Sequence, residues 1–129
     1  MRRADAPDYS GDAPGAFLGY ARPLGAEQLA MNVRVLAPHE SHRPPGVDPA
    51  WGHSHKTIEE IYLVLEGEIE LKLGDAVETL HRHDAVLIPA GTPRAVRNET
   101  DDDAVFAMIS VRIDDPMAET QQHDGFWPR

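Results

Sequence analysis

Apolar and polar residues alternate along much of the chain, and this period of two is typical of β-strands. Residues 28–36 carry large apolar side chains at every second position and end at Ala37-Pro38, where proline cannot donate to a sheet. Residues 68–73 alternate charged with apolar positions, and Gly74-Asp75 then supplies a turn, which predicts a hairpin with one face toward solvent. The predicted strands are residues 28–36, 61–65, 68–73, 76–80, 84–88, 93–97 and 104–113.

No segment before Asp114 repeats apolar residues at the spacing of an amphipathic helix. Many short strands separated by turn signals favour an all-β fold, a double-stranded β-helix or jelly-roll barrel. A length of 129 residues fits one domain. We expect the barrel at residues 27–113, an N-terminal arm at 1–26 and a C-terminal tail at 114–129.

Three apolar features lie outside the alternating pattern. The arm is rich in Pro, Gly, Ala and Asp and is either partly disordered or docked, and its cluster at residues 17–20 favours docking on the barrel or on a second subunit. The tail has room for one helical turn and carries Phe126-Trp127. Residues 61–65 are apolar on both strand faces, so the core should cover one face and a partner the other. We therefore expect a homodimer with arm or strand exchange.

Composition narrows the possible partners. Twelve Lys and Arg against 22 Asp and Glu give a formal net charge of −10, which disfavours nucleic acid and anionic membranes. There are no cysteines, so a metal would have to be bound by imidazole and carboxylate. The N-terminus lacks the apolar stretch of a secretory signal, and no segment approaches membrane-spanning length. We expect a cytoplasmic protein.

The candidate chemistry lies in residues 52–67, which read GHSHKTIEEIYLVLEG. On a strand, His53 and His55 point to the same face, so the two imidazoles can share a metal ion. A carboxylate follows at Glu59 or Glu60. Two histidines and one acid form a facial set of ligands that leaves coordination positions open for water or substrate.

This stretch resembles the first motif of the cupin superfamily, H-x-H-x(4)-E-x(6)-G, with His53, His55, Glu60 and Gly67 in the motif positions. The motif spacing selects Glu60 over Glu59. Residues 89–98 fit the second cupin motif, P-x-G-x(2)-H-x(3)-N, except that Arg94 stands where the family usually has a fourth ligand, a histidine. The resemblance covers roughly residues 30–113 and implies a single-domain cupin barrel with a divalent transition metal, iron, manganese, nickel, zinc or copper.

The resemblance implies that Arg94 points into the barrel toward the metal. A guanidinium cannot ligate a cation, so it would repel the metal or pair with Glu60. Either Arg94 contacts the carboxylate or enolate of a substrate on a three-ligand metal, or it has replaced the metal and the cavity binds an anion directly. We prefer the first interpretation. Tyr62 shares a strand face with Glu60 and is either a nearby hydrogen-bond donor or acid, or a core residue.

Other histidines near the motifs have simpler interpretations. His81 and His83 lie two residues apart and are either substitute ligands or residues of a solvated edge, of which we favour the edge. The second motif usually opens with a glycine at the position of His83. His39 and His42 lie in a Pro-rich loop, either lining the mouth of a site or solvated, and Trp51 is expected to pack at the rim or core.

The sequence favours a small metal-dependent enzyme of dioxygenase or isomerase type that acts on a small polar or anionic metabolite. In this interpretation Arg94 and Tyr62 serve catalysis, while His53, His55 and Glu60 bind the metal. The alternative is a non-catalytic, metal-free module that binds a sugar or an organic anion in the same cavity. A fold alone does not decide between them.

Overall fold

The strands pair into two antiparallel sheets with the hydrophobic core between them. The computed structural model describes all 129 residues. One sheet has the order β1-β2-β9-β4-β7, and the other has the order β10-β3-β8-β5-β6. The strands are β1 (Ala16–Gly19), β2 (Leu29–Leu36), β3 (Gly52–His55), β4 (Glu60–Glu66), β5 (Glu68–Leu73), β6 (Ala76–His81), β7 (Ala85–Ile88), β8 (Arg94–Arg97), β9 (Ala104–Val111) and β10 (Thr120–His123). The predicted all-β fold is confirmed.

Helical structure is confined to three short pieces. A 3-10 turn spans Arg3–Asp5, and two helices, α1 (Ala21–Leu24) and α2 (Pro116–Glu119), have four residues each. None of these helices is long and apolar enough to cross a membrane. Asp115 accepts a hydrogen bond from the Ala118 backbone N–H and Pro116 occupies the first turn, which explains why α2 begins there.

The arm and the tail each add a strand that the alternating pattern did not predict. β1 pairs with β2, so the arm's apolar cluster lies on the chain's own sheet, and β10 pairs with β3. The terminal aromatics are also held within the chain, since Lys72 lies over the Phe126 ring and Arg97 over the Trp127 ring. The arm and tail therefore contribute edge strands to the two sheets.

The inward faces of the strands divide the interior into a packed part and an open part. On β2, Leu36 belongs to the core, whereas Arg34 and Asn32 line a cavity. On β4 the inward series likewise passes from core residues, Val64 and Tyr62, to the cavity residue Glu60. The core residues are Leu36, Tyr62, Val64, Ile69, Leu71, Leu80, Ile88, Val96, Ala104, Phe106 and Met108. The hydrophobic effect thus stabilises one end of the barrel and leaves the other end free for a site.

The outer face of the first sheet is apolar. The strand registers align Ile109 of β9, Ile61 of β4 and Leu87 of β7 in one cross-strand row. Ile61 is 42% exposed and Leu87 is 52% exposed, so the chain alone does not cover this row. The expectation that residues 61–65 are covered on both faces is not met within one chain.

Two short turns contain residues in the left-handed conformation: Gly67, between β4 and β5, and His83, between β6 and β7. Gly67 has φ of 70°, and a Cβ there would lie 2.7 Å from the Asp103 carbonyl oxygen, so only glycine fits. His83 has φ of 72° and donates its backbone N–H to the Val64 carbonyl at 2.8 Å. The left-handed conformation explains why glycine suits this position, and histidine adopts it at a cost of roughly 1–2 kcal/mol.

Glu119 of α2 fixes the loop between β3 and β4. Its carboxylate accepts hydrogen bonds from the backbone N–H of Thr57 at 2.6 Å and of Ile58 at 3.0 Å, and from the Thr57 hydroxyl. The Thr57 backbone N–H has the largest effect and lowers the pKa of Glu119. The tail thereby holds the loop that connects β3 of one sheet to β4 of the other.

We predict that Glu119→Gln lowers the melting temperature at neutral pH. The pKa of Glu119 in the folded protein lies below its usual value of about 4.3. The ionised carboxylate therefore stabilises the fold fully above about pH 4.3, and this stabilisation is lost as the pH falls through the folded pKa. The difference between variant and wild type, measured by thermal denaturation from about pH 7 to about pH 3, should therefore shrink toward acid. Glu59→Gln, at an exposed residue of the same loop, is the control. A difference that does not change with pH would contradict this role.

Candidate metal centre and its cavity

Two consecutive strands of opposite sheets bring three candidate ligands together. Alternation along β3 directs His53 and His55 inward, and Glu60 is the first residue of β4. One ligand atom from each residue lies within 4.8 Å of the other two, and the three residues are 6%, 8% and 8% exposed, respectively. Glu59 is exposed, so Glu60 is the carboxylate beside the histidines. This donor set fits a transition metal that prefers imidazole and carboxylate.

His53 is held in the form that binds metal. Its ring stacks on Trp51, with centroids 4.6 Å apart and planes at 12°, and its Nδ1 has no hydrogen-bond partner. Burial, with a smaller contribution from nearby positive charges, holds the pKa of His53 well below its usual value. The imidazole is therefore neutral at neutral pH, as a metal ligand must be.

Glu60 is shared between an imidazole and a guanidinium. Its Oε1 lies 3.0 Å from His55 Nε2 and accepts a hydrogen bond from Arg94 Nη2 at 3.1 Å. The Thr120 hydroxyl lies 3.4 Å from the other ring nitrogen of His55, so β10 contributes to its surroundings. These contacts compensate the burial of the carboxylate, which would otherwise be costly.

Arg94 and Tyr62 lie behind the candidate ligands and not on the cavity wall. Arg94 is fully buried, and its Nη1 donates to the Thr92 carbonyl at 3.1 Å while Nη2 holds Glu60. Tyr62 is also fully buried, its hydroxyl has no hydrogen-bond partner, and burial raises its pKa. The Tyr62 phenol therefore stays protonated and cannot act as a base in the neutral range.

The structure separates the remaining histidines. His81 is exposed and lies 3.2 Å from Glu68, and His83 is exposed in the following turn, so neither reaches the cavity. His39 forms a hydrogen bond with Asp101, with 2.8 Å between Nε2 and Oδ1. His42, in contrast, is 8% exposed and its ring centroid lies 6.0 Å from that of His53.

A cavity of about 550 Å³ opens beside the three candidate ligands, which is within the range of small-molecule sites. His42 and Arg34 line it. The sequence left His42 open between lining the mouth of a site and being solvated, and it did not single out Arg34. Burial and the charges of Arg34 and Arg94 lower the pKa of His42 to about 3, so His42 is neutral. The Pro-rich loop has no periodic pattern that decides the position of His42, and Arg34 lies in the polar phase of the β2 alternation, which does not mark it as an inward residue.

Comparison with solved structures shows the same fold in proteins of several activities. A sugar phosphate isomerase of the cupin superfamily from Silicibacter pomeroyi is 21% identical with a TM-score of 0.68, covering 88% of this chain and 73% of that chain. The polyketide cyclase RemF from Streptomyces resistomycificus is 20% identical with a TM-score of 0.72, covering 98% and 88%, respectively. Oxalate decarboxylase from Bacillus subtilis is 17% identical with a TM-score of 0.73, covering 95% of this chain but 31% of that longer one. At these identities the likeness concerns the fold.

The family assignment rests on the sequence match. No curated protein sequence matches the chain. A family model described as the cupin domain matches residues 39–111, which is more than half of the chain and includes both motif regions. The predicted resemblance is confirmed: this chain belongs to the cupin family.

Proposed function

We propose that this cupin is a metal-dependent enzyme that acts on a small polar or anionic metabolite. The observation that carries the proposal is the convergence of His53, His55 and Glu60 on the wall of a cavity large enough for such a molecule. A divalent transition metal held there, whether iron, manganese, nickel, zinc or copper, would supply Lewis acidity or oxygen activation at its open coordination positions. Dioxygenase or isomerase chemistry follows from these two capacities.

The surrounding residues orient the ligands. Trp51 fixes the plane of the His53 ring, and Arg94 fixes the Glu60 carboxylate through Nη2. Such outer partners set the direction of a ligand's lone pair and affect metal affinity strongly. Arg94 also places a positive charge beside the site, which weakens cation binding. In this proposal Arg94 is a positioning residue that acts through Glu60, whereas Tyr62 belongs to the core that packs behind the site.

The neighbours in fold support an enzyme without fixing its reaction. Their names include an isomerase, a decarboxylase and a cyclase, so the barrel supports several kinds of chemistry on small molecules. We extend to this chain only the use of the cavity as a reaction site. Its substrate must be argued from its own residues.

One observation favours the alternative, a metal-free binding module. Glu60 Oε1 is already satisfied by His55 and Arg94, so the buried carboxylate has partners without any ion. In that case Arg94 would take the place of the cation and the cavity would bind a sugar or an organic anion. The neutral His53, with no partner on Nδ1, favours the metal-binding proposal.

We predict that His53→Ala lowers the affinity for a divalent transition metal by more than about 100-fold. Loss of an outer partner alone costs about 10–100-fold, and His53 is proposed as a direct ligand. The measurement is isothermal titration calorimetry with manganese, nickel and zinc on tag-free protein after chelator treatment. His81→Ala removes an exposed histidine and is the matched control, which should bind as wild type does. Equal affinity in His53→Ala and His81→Ala would contradict the proposed centre and favour the metal-free module.

We also propose a homodimer, formed through the apolar outer face of the first sheet. Its residues are Met31, Ile61, Leu63, Leu87, Ile109 and Val111. Ile61 and Leu87 are both exposed and lie opposite each other on neighbouring strands, so they form a continuous patch. Contiguous apolar surface of this kind marks an interaction site more often than a solvated face, and a second copy presents the same patch.

We predict that Ile61→Glu converts the dimer into a monomer. Ile61 lies between Ile109 and Leu87 in the strand registers, so a charge there would be buried without a partner in the dimer. Light scattering coupled to size exclusion at micromolar concentration gives the mass. Val77→Glu is the control because Val77 is equally apolar and 51% exposed but belongs to the other sheet. A wild-type protein with the mass of one chain would refute the dimer.

A further inference from the structure

Arg34 is a buried cation without a partner. It is 3% exposed, and its Nε makes no hydrogen bond. The two carboxylates whose charges act on Arg34 have other partners. Asp8 accepts hydrogen bonds from the backbone N–H groups of Ser10 and Phe17. Glu40 forms an ion pair with Arg43 at 3.4 Å. A buried charge that is neither paired nor fully hydrogen-bonded destabilises a fold. Such a group is readily explained if it binds a ligand that carries the missing charge.

Arg34 is held in place on the cavity wall. It lies inward on β2, opposite Phe17 of β1 on one side and Phe106 of β9 on the other. Its guanidinium carbon lies 5.5 Å from the centre of the Phe17 ring. The three paired strands thus fix the backbone of Arg34, and the Phe17 ring packs beside its guanidinium.

A series of aromatic rings leads from Arg34 to the candidate metal centre. The Phe17 ring stacks on His42 at 5.5 Å, and the His42 ring lies 6.0 Å from that of His53. Trp51 and Met108 add apolar surface to the same wall. The space between the guanidinium and the candidate ligands therefore favours an apolar or aromatic body.

The other arginines near the cavity do not duplicate Arg34. Arg43 also lines the cavity, but it donates to Ser41, Val47 and Glu40. Arg112 is exposed, and Arg94 holds Glu60 behind the wall. One free buried guanidinium in a protein of net charge −10 suits a single negative charge better than a dianion.

We propose that Arg34 binds the carboxylate of the substrate, which is an organic monoanion with an apolar or aromatic body whose opposite end lies at His53, His55 and Glu60. A planar guanidinium can bind a carboxylate through two parallel hydrogen bonds. The inference rests on the proposed function for the identity of the reacting end. The anion subsite itself requires no metal.

The test is calorimetric titration of chelator-treated protein with 3-phenylpropanoate, its neutral amide and phenyl phosphate. Wild-type protein should bind the carboxylate at least about tenfold more tightly than the amide, as expected for hydrogen bonds to a charged group. Arg34→Gln should abolish this preference, whereas Arg112→Gln, at an exposed arginine of the same cavity, should retain it. The carboxylate should also bind more tightly than phenyl phosphate.

Thermal denaturation gives a second and independent readout. Arg34→Met removes an unpaired buried charge, so the variant should melt at a higher temperature than wild type without ligand and should not be stabilised further by 3-phenylpropanoate. A wild-type protein without preference for the carboxylate over the amide, or an Arg34→Gln variant that keeps the preference, would overturn the subsite. Tighter binding of phenyl phosphate would overturn its monoanion specificity.

The two proposals fail separately. Metal affinity of Arg34→Gln should equal that of wild type, because Arg34 is not among the three clustered ligands. If the His53→Ala experiment shows no metal centre but the carboxylate preference depends on Arg34, the enzyme proposal fails and the anion subsite stands. If the metal centre is found but the carboxylate preference is absent, the anion subsite fails and the enzyme proposal stands.

Discussion

Oε1 of Glu60 lies between the His55 imidazole and the Arg94 guanidinium inside the barrel. This contact links three strands, since His55 lies on β3, Glu60 on β4 and Arg94 on β8. Because Glu60 is 8% exposed and Arg94 is fully buried, neither charge would be tolerated without the other. The pair fixes the carboxylate beside the histidines, but the same guanidinium reduces the attraction of the site for a cation. Unit charges 4 Å apart interact by roughly 4 kcal/mol at an effective dielectric constant of 20, so Arg94 must influence the strength of any metal binding.

The cavity reverses the usual orientation of an amphipathic strand at β2. On β2 the large apolar residues Met31, Val33 and Val35 face outward, and Asn32 and Arg34 face the cavity. On β9 Ile109 and Val111 likewise lie on the outer side, paired with β2 residues of the same phase. An interior that keeps polar groups for a ligand leaves its apolar residues for a second surface. The cavity and the proposed dimer face are therefore two consequences of one strand pattern.

The sequence was sufficient for much of the barrel and for the candidate ligands. Strand alternation and the motif spacing identified His53, His55 and Glu60, because a strand of period two must place the histidines on one face. β1 and β10 were missed, since a strand of four residues is too short to show alternation: β1 reads AFLG without a polar position, and β10 reads TQQH without an apolar one. Arg34 and His42 could not be assigned to the cavity, because that depends on which sheet face is enclosed and on the path of a loop. Local pattern does not contain either fact.

The central claim is that this cavity contains a three-ligand metal centre beside a fixed guanidinium. The most direct measurement is elemental analysis, by inductively coupled plasma mass spectrometry, of wild-type protein purified without a histidine tag and dialysed gently. The account predicts close to one transition-metal ion per chain, held by His53, His55 and Glu60. Protein with far less metal, and with no uptake when iron, manganese, nickel, zinc or copper is added, would contradict it and would mean that Arg94 occupies the role of the cation.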